Sequence, residues 1–178
     1  FAQKSVRFLG HIIESDGVKK SPEYMEPIGK YEKPTTVKGL REFLGIINFQ
    51  RKFIPRCSEI AKPLSELTGG KSTDTIEWTE DMETAFETLK ELAIQDLKLA
   101  YPDYSKEAEP LELSVDASGY GAGACLSQWQ NGVNKIIAYA SMSFSETQKR
   151  YSTTEREIVA IRWGVKTLRS VSYTHLRA

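Results

Sequence analysis

Two stretches in the first hundred residues repeat apolar side chains at the spacing of one helix face. After Thr35-Thr36 the apolar residues stand at i, i+3, i+4 and i+7: Leu40, Phe43, Leu44 and Ile47. After Thr79, whose hydroxyl suits a helix N-cap, six apolar residues follow in a similar pattern: Met82, Ala85, Phe86, Leu89, Leu92 and Ala93. This periodicity predicts an amphipathic helix in each stretch, with its apolar stripe turned toward a core.

A third helix is predicted near the end of the chain. The run Ser152-Thr153-Thr154-Glu155 matches a capping box, which marks a helix start. The apolar residues that follow are predicted to form the buried stripe: Ile158, Ile161, Val165 and Leu168. Glu157 shares its row with Ile161, Gly164 and Leu168, so the same periodicity turns Glu157 toward the packed side and leaves Glu155 as an exposed capping residue.

Between the second and third helices the period falls to two, which is typical of strands with one apolar face. Apolar and polar residues alternate over 111–116. An Asn131-Gly132 turn joins two further predicted strands, over 121–128 and 135–141.

The first residues of the chain also alternate. Residues 5–18 predict a hairpin with Asp16-Gly17 as its turn. Three prolines follow, at Pro22, Pro27 and Pro34, and they predict an irregular connection to the first helix.

Charge divides the 178 residues into three parts, although 24 basic and 24 acidic residues balance. Residues 1–73 carry 13 Lys and Arg against 8 Asp and Glu, residues 74–116 carry 3 against 13, and residues 117–178 carry 8 against 3. A basic segment can neutralise phosphates of a nucleic acid; the alternative is that charged helix faces simply contact water. Two cysteines exclude a disulfide scaffold and favour a reducing compartment. No apolar run reaches the length of a bilayer span, and the first residues given do not have the charged-then-apolar pattern expected of a leader.

Two carboxylates are candidates for chemistry by their position. Asp116 ends an apolar-backed strand, and Glu157 lies in the first turns of the third helix. A divalent cation shared by the two would compensate a carboxylate that faces inward. The alternative is a turn aspartate and a partly exposed helix glutamate. The glycines at 119, 121 and 123 run into a strand and lack a following Lys-Ser/Thr, so they favour close packing over a nucleotide loop.

Several segments, in this order, are together similar to the polymerase polyprotein of gypsy-type LTR retrotransposons. VRFLGHIIESDGV resembles the last strands of a reverse transcriptase palm, and LREFLGIINFQRKFIP with SEIAKPLSELT resembles the thumb. WTEDMETAFETLKEL and LAYPDY resemble the connecting region. SVDASGYGAGACLSQ and IIAYASMSFSETQKRYSTTEREIVAI resemble the start of a tethered ribonuclease H domain.

The resemblance implies an α+β fold, in which a helical thumb and connection precede a truncated ribonuclease H-like mixed sheet with a packed helix. It assigns residues 1–20 to the end of the palm, 21–100 to the thumb and connection, and 101–170 to a partial ribonuclease H-like domain. Residues 171–178, VSYTHLRA, do not fit the family and resemble a translated adapter sequence. We interpret them as a non-native tail; an irregular natural terminus is the alternative.

In the family, four acids hold two Mg²⁺ ions, which activate water and stabilise the leaving oxygen when the RNA strand of an RNA–DNA hybrid is cleaved. The resemblance assigns Asp116 and Glu157 to two of those four places, as catalytic residues and metal ligands. It also implies that Arg51, Lys52 and Arg56 contact the nucleic-acid backbone. One departure is Gln50, where the family usually has a second aromatic residue.

The implied function is part of a reverse transcriptase and ribonuclease H, which copies RNA into DNA and hydrolyses the RNA of hybrids. The implied partners are an RNA–DNA hybrid, a template–primer duplex and other parts of the polyprotein, with no membrane, in a cytoplasmic virus-like particle. Because two hydrolase acids and the polymerase aspartates are missing, we expect the chain alone to be inactive. The alternatives are a non-catalytic or degenerate module that binds nucleic acid and, more remotely, a nucleotide-binding fold.

Overall fold

The computed structural model describes residues 3–172, with side chains as far as Arg169. It has an α+β architecture of two antiparallel sheets joined by helices, as the sequence predicts. The strands are β1 (Ser5–Phe8), β2 (His11–Glu14), β3 (Gly17–Lys20), β4 (Lys98–Ala100), β5 (Leu111–Ala117), β6 (Gly121–Gln130) and β7 (Val133–Ser143). The helices are α1 (Pro22–Gly29), α2 (Val37–Phe49), α3 (Cys57–Ile60), α4 (Lys62–Ser65), α5 (Glu80–Ile94), α6 (Glu146–Lys149) and α7 (Thr153–Ser172).

The first sheet has the order β1-β2-β3-β4. The predicted single hairpin is in fact two hairpins, because Leu9 (φ 45°) and Gly10 (φ 76°) make an additional tight turn between β1 and β2. Strand β4 was not predicted, and it returns after α5 to pair with β3. Gly17 is required there, since a Cβ would overlap the carbonyl oxygen of Leu99.

The helices of the first hundred residues pack on one another and form the main core. Thr36 and Thr79 cap α2 and α5, and each hydroxyl accepts from a backbone N–H of the first turn, at Gly39 and Met82. The predicted stripes are buried, with Leu44 and Leu92 at the margin. The buried members of this core are Ile28, Leu40, Phe43, Ile47, Ile54, Cys57, Ala61, Leu64, Met82, Ala85, Phe86, Leu89 and Ala93.

The connection that three prolines predicted to be irregular contains helix α1. Pro22 stands at its first turn, where a missing N–H costs nothing. Pro27 lies inside the helix, which ends two residues later at Gly29. Ile28 anchors this helix in the core.

The second sheet, β5-β6-β7, packs one face against α7. Leu113, Val115 and Ala117 point toward the helix, whose buried residues include Ala160 and Leu168. Gly164 allows the close approach, since a Cβ there would lie 3.2 Å from Val115 Cγ2.

The predicted stripe of α7 is wrong at three of its four positions. Ile158, Ile161 and Val165 are exposed, and only Leu168 is buried. Helix α7 instead turns small and aromatic residues to the sheet: Val159, Ala160, Trp163 and Gly164. The prediction from hydrophobic spacing failed here because α7 packs on the sheet through Ala160 and Gly164, while its larger apolar side chains face outward.

Between residues 3 and 172, none of the helices combines the length and apolarity that a bilayer span requires.

Candidate active site

Asp116 lies near the end of β5, opposite Gly123 of β6. Because side chains alternate along a strand, Val115 and Ala117 pack toward α7 while Asp116 points to the other face of the sheet. Its side chain is 66% exposed. A carboxylate in this position is accessible to a cation or a substrate from solvent.

Arg56 approaches Asp116 from the helical part of the molecule. It precedes α3 in a left-handed backbone conformation with φ 50°, which is uncommon for a residue other than glycine. Its Nη2 lies 3.4 Å from Asp116 Oδ2 and 2.8 Å from Glu59 Oε2. The guanidinium therefore bridges two carboxylates, one from each part of the chain.

A glycine makes room for this approach. A Cβ at Gly123 would lie 3.2 Å from Arg56 Cγ, so a larger residue would press on the arginine. The expectation that this glycine run serves close packing agrees with its surroundings. At Gly121 a Cβ would overlap the carbonyl oxygen of Met142 on the neighbouring strand.

Glu157 lies in the first turns of α7 and is exposed. The predicted row is confirmed in part: its members Gly164 and Leu168 are buried against the sheet, whereas Ile161 and Glu157 itself are exposed. Within residues 3–172 its carboxylate forms no hydrogen bond or ion pair. The neighbouring glutamate, Glu155, completes the predicted capping box with Ser152, accepting from the Ser152 backbone N–H at 2.8 Å.

The start of α7 is tied to the loop that follows Asp116. Arg156 Nη1 donates a hydrogen bond to the carbonyl oxygen of Ser118 at 3.1 Å. The helix that carries Glu157 is thus hydrogen-bonded to the loop that directly follows Asp116. In the part of the chain that the structure describes, no group of three or more His, Cys, Asp or Glu side chains is arranged to hold a metal ion.

Residues 51–58, hereafter the 51–58 segment, attach the helical part to the second sheet. Arg51 donates to the carbonyl oxygen of Ser141 on β7 and to Asn48 Oδ1 at 3.2 Å. The backbone N–H of Ser58 donates to Ser141 Oγ at 3.0 Å, and the two hydroxyls are 3.0 Å apart. The Arg51 guanidinium is therefore engaged by the protein itself.

Lys52 is exposed and lies beside the ring of Phe53, with its Nζ 5.3 Å from the ring centroid. It forms no ion pair with another described residue. Of the three basic residues predicted to contact a nucleic acid, Arg56 is held by two carboxylates, and Arg51 is hydrogen-bonded to the neutral groups of Asn48 and Ser141. Within the described residues, Lys52 is the one of the three with neither an ion pair nor a hydrogen bond from its side chain.

Sequence reasoning missed two residues that organise this site. Ser141 is 3% exposed. Its carbonyl oxygen accepts a hydrogen bond from Arg51, and its hydroxyl accepts one from the backbone N–H of Ser58. Arg156 fixes α7 to the loop after β5. Neither carries a sequence signal, because each acts through a contact with a residue at least 38 positions away.

Residues 78–176 match the family described as the RNase H-like domain found in reverse transcriptase. The chain is also similar to curated Pol polyproteins. It is 37% identical over 182 aligned residues to the retrovirus-related Pol polyprotein from transposon opus of Drosophila melanogaster, covering 97% of the chain and 18% of the relative. It is 34% identical to that from transposon gypsy of the same organism, covering 97% of the chain and 17% of the relative.

A more distant relative is the transposon Tf2-3 polyprotein of Schizosaccharomyces pombe, at 33% identity over 90% of the chain and 12% of the relative. The chain thus spans less than a fifth of the length of the curated relatives that it matches. Among solved structures, it superposes on a foamy viral protease-reverse transcriptase in complex with RNA/DNA hybrid. The TM-score is 0.76 at 28% identity, over 96% of this chain and 22% of the other. A complex of the foamy viral enzyme with dsDNA gives the same TM-score and identity, over 96% of this chain and 35% of the other.

Proposed function

Because the chain belongs to the family of RNase H-like domains found in reverse transcriptases, we propose that it is part of a retroelement Pol polyprotein, joining the polymerase thumb to the hydrolase. The parent enzyme copies RNA into DNA and hydrolyses the RNA strand of RNA–DNA hybrids. The observation that carries this proposal is the superposition of 96% of the chain on a reverse transcriptase bound to such a hybrid. We propose the cytoplasmic virus-like particle as its location.

The proposed role of Asp116 and Glu157 is to supply carboxylate oxygens to divalent cations. Exposure of both side chains supports this, since Mg²⁺ prefers hard oxygen ligands and retains several waters. When bound, Mg²⁺ would activate water and stabilise the leaving oxygen. Two carboxylates fit part of such a site, and the remaining acids would come from other parts of the polyprotein.

The hydrolase proposal predicts that the 178-residue chain does not cleave a labelled RNA–DNA hybrid in Mg²⁺, whereas a polypeptide extended to include the remaining acids does. Asp116→Asn should abolish cleavage by the extended polypeptide, and Asp103→Asn, an exposed loop aspartate, should leave it unchanged. Robust cutting by the 178-residue chain that depends on Asp116 would contradict the expected inactivity of the fragment.

The proposed nucleic-acid contact is electrostatic and independent of base sequence. Lys52 is the strongest candidate because it is exposed and lacks an ion pair within the described residues, and Arg51 and Arg56 flank it in the chain. Each phosphate contact that is lost should reduce the slope of log affinity against log salt by roughly 0.9.

Hybrid binding at several salt concentrations tests this contact. Lys52→Ala should weaken binding and flatten the slope, and the triple variant with Arg51→Ala and Arg56→Ala should flatten it further. Lys106→Ala removes another exposed charge, from the loop after β4, and serves as the control. An unchanged affinity and slope in the triple variant would remove this segment from the proposed interface.

A further inference from the structure

We propose that Arg56 is a built-in competitor of the divalent cation at Asp116, holding the carboxylate until a cation displaces the guanidinium. The inference rests on the proposed function, in which Asp116 is a metal ligand. It starts from one observation: the same Nη2 atom lies 2.8 Å from Glu59 and 3.4 Å from Asp116. A cation that binds Asp116 must contend with a positive charge already there.

The backbone delivers Arg56 to this place at a cost, which indicates that its position is determined by the surrounding structure. Its φ of 50° is in the left-handed region, which L side chains adopt only when neighbouring contacts require it. Those contacts lie on both sides of Arg56. Arg51 donates a hydrogen bond to the Ser141 carbonyl oxygen, and the backbone N–H of Ser58 donates one to the Ser141 hydroxyl. The 51–58 segment is therefore fixed against β7, with Arg56 held over β5 and β6.

Two features make the ion pair releasable. The side chains of Arg56 and Asp116 are 51% and 66% exposed, so water screens their attraction. Glu59 makes the shorter contact with the guanidinium, and it remains paired with Arg56 after Asp116 has been released. A divalent ion carries twice the charge and accepts direct oxygen coordination, which favours it over the guanidinium once its concentration is sufficient.

Titration of the 178-residue chain with Mn²⁺, followed by the electron paramagnetic resonance signal of the free ion, tests the competition without requiring catalysis. Arg56→Asn removes the guanidinium with a residue that tolerates the left-handed backbone. Arg56→Gly is the second variant, in case the first does not fold by circular dichroism. Arg162→Gln removes the same charge from an exposed position of α7 and controls for net charge.

We expect Arg56→Asn to bind Mn²⁺ roughly two- to fivefold more tightly than the wild type, which corresponds to the energy of an exposed ion pair. The Arg162→Gln control should change affinity far less, and Asp116→Asn in the Arg56→Asn background should abolish the gain. Equal affinity in the wild type and Arg56→Asn, with weaker binding in Asp116→Asn, would overturn the competition and leave the metal role of Asp116 intact.

Two further outcomes count against the inference. If Asp116→Asn has no effect in either background, Asp116 is not a ligand, and the metal part of the proposed function fails together with the competition. If Arg56→Asn binds no Mn²⁺ at all, the guanidinium is not what keeps the cation away, and the competition is wrong.

Discussion

Lys20 caps the C-terminal end of α5 by a hydrogen bond to the carbonyl oxygen of Ala93. Its Nζ donates a hydrogen bond to the Ala93 carbonyl oxygen at 2.8 Å and a second to the Leu92 carbonyl oxygen at 3.0 Å. The last carbonyls of a helix have no partner within the helix, and a cation at this end also opposes the helix dipole. With 2% of its surface exposed, Lys20 connects the first sheet to the helical core from the inside.

Replacement of this lysine should therefore be costly. Lys20→Met keeps much of the apolar stem but leaves two buried carbonyl groups without a donor, and we expect the free energy of unfolding at pH 7 to fall by about 1–3 kcal/mol. Urea unfolding followed by circular dichroism measures the change. Lys106→Met, at an exposed loop position, is the matched control and should be close to neutral. Equal stability of the two variants would show that the carbonyls find other donors.

The same lysine should make stability depend on pH in the alkaline range. Burial lowers the pKa of Lys20 to about 8, from an ordinary value of 10.5. Between these values the unfolded chain binds a proton that the folded chain has released, so the free energy of unfolding should rise as pH increases through this window. The difference in stability between the wild type and Lys20→Met isolates this contribution from other titrating groups. A difference that stays constant from pH 7 to pH 10.5 would contradict the lowered pKa.

Gly121 and Gly45 offer a comparison of two glycines in opposite surroundings. A Cβ at Gly121 would overlap the Met142 carbonyl oxygen, so Gly121→Ala must push β6 and β7 apart and should cost about 1–3 kcal/mol. Gly45 lies within α2 with no neighbouring atom within 4 Å of a Cβ, so Gly45→Ala should stabilise the protein by up to about 1 kcal/mol. Thermal unfolding of both variants checks the prediction, and destabilisation by Gly45→Ala would show that α2 is more crowded than the structure indicates.

The orientation of α7 can be tested with two apolar residues of the same helix. Leu168 is 7% exposed, and Leu168→Ala should lower the free energy of unfolding by about 2–5 kcal/mol. Ile161 is 54% exposed, and Ile161→Ala should change it by less than about 0.5 kcal/mol. Chemical denaturation measures both. Comparable losses would mean that the outward face of α7 is covered in solution.

Local signals predicted the elements that local chemistry determines. Thr36, Thr79 and Ser152 begin helices because each hydroxyl accepts a backbone N–H of the first turn. The Asn131-Gly132 turn joins β6 and β7 with both residues at positive φ. Strand β4, by contrast, has three residues and exists only because β3 pairs with it, which no local pattern reveals.

The candidate site was predictable in its residues but not in its geometry. Asp116 could be chosen from strand alternation and from the resemblance to ribonuclease H. Its contact with Arg56, which lies 60 positions earlier in the chain, depends on the helical part folding back on β5 and on a glycine at position 123 that leaves room. The buried face of α7 was predicted only in part, because the helix packs through the small residues Ala160 and Gly164, whereas the prediction relied on large apolar side chains.

The outward isoleucines of α7 have a practical consequence for anyone handling this polypeptide. The outward face of α7 carries a strip of exposed apolar side chains: Ile158, Ile161 and Val165. Strand β5 packs beside the same helix and, among residues 3–172, pairs only with β6, so its other edge is open. Open strand edges and exposed apolar strips promote association between molecules at high protein concentration. Sedimentation should therefore show an apparent mass that climbs with concentration, and mild detergent should reverse it.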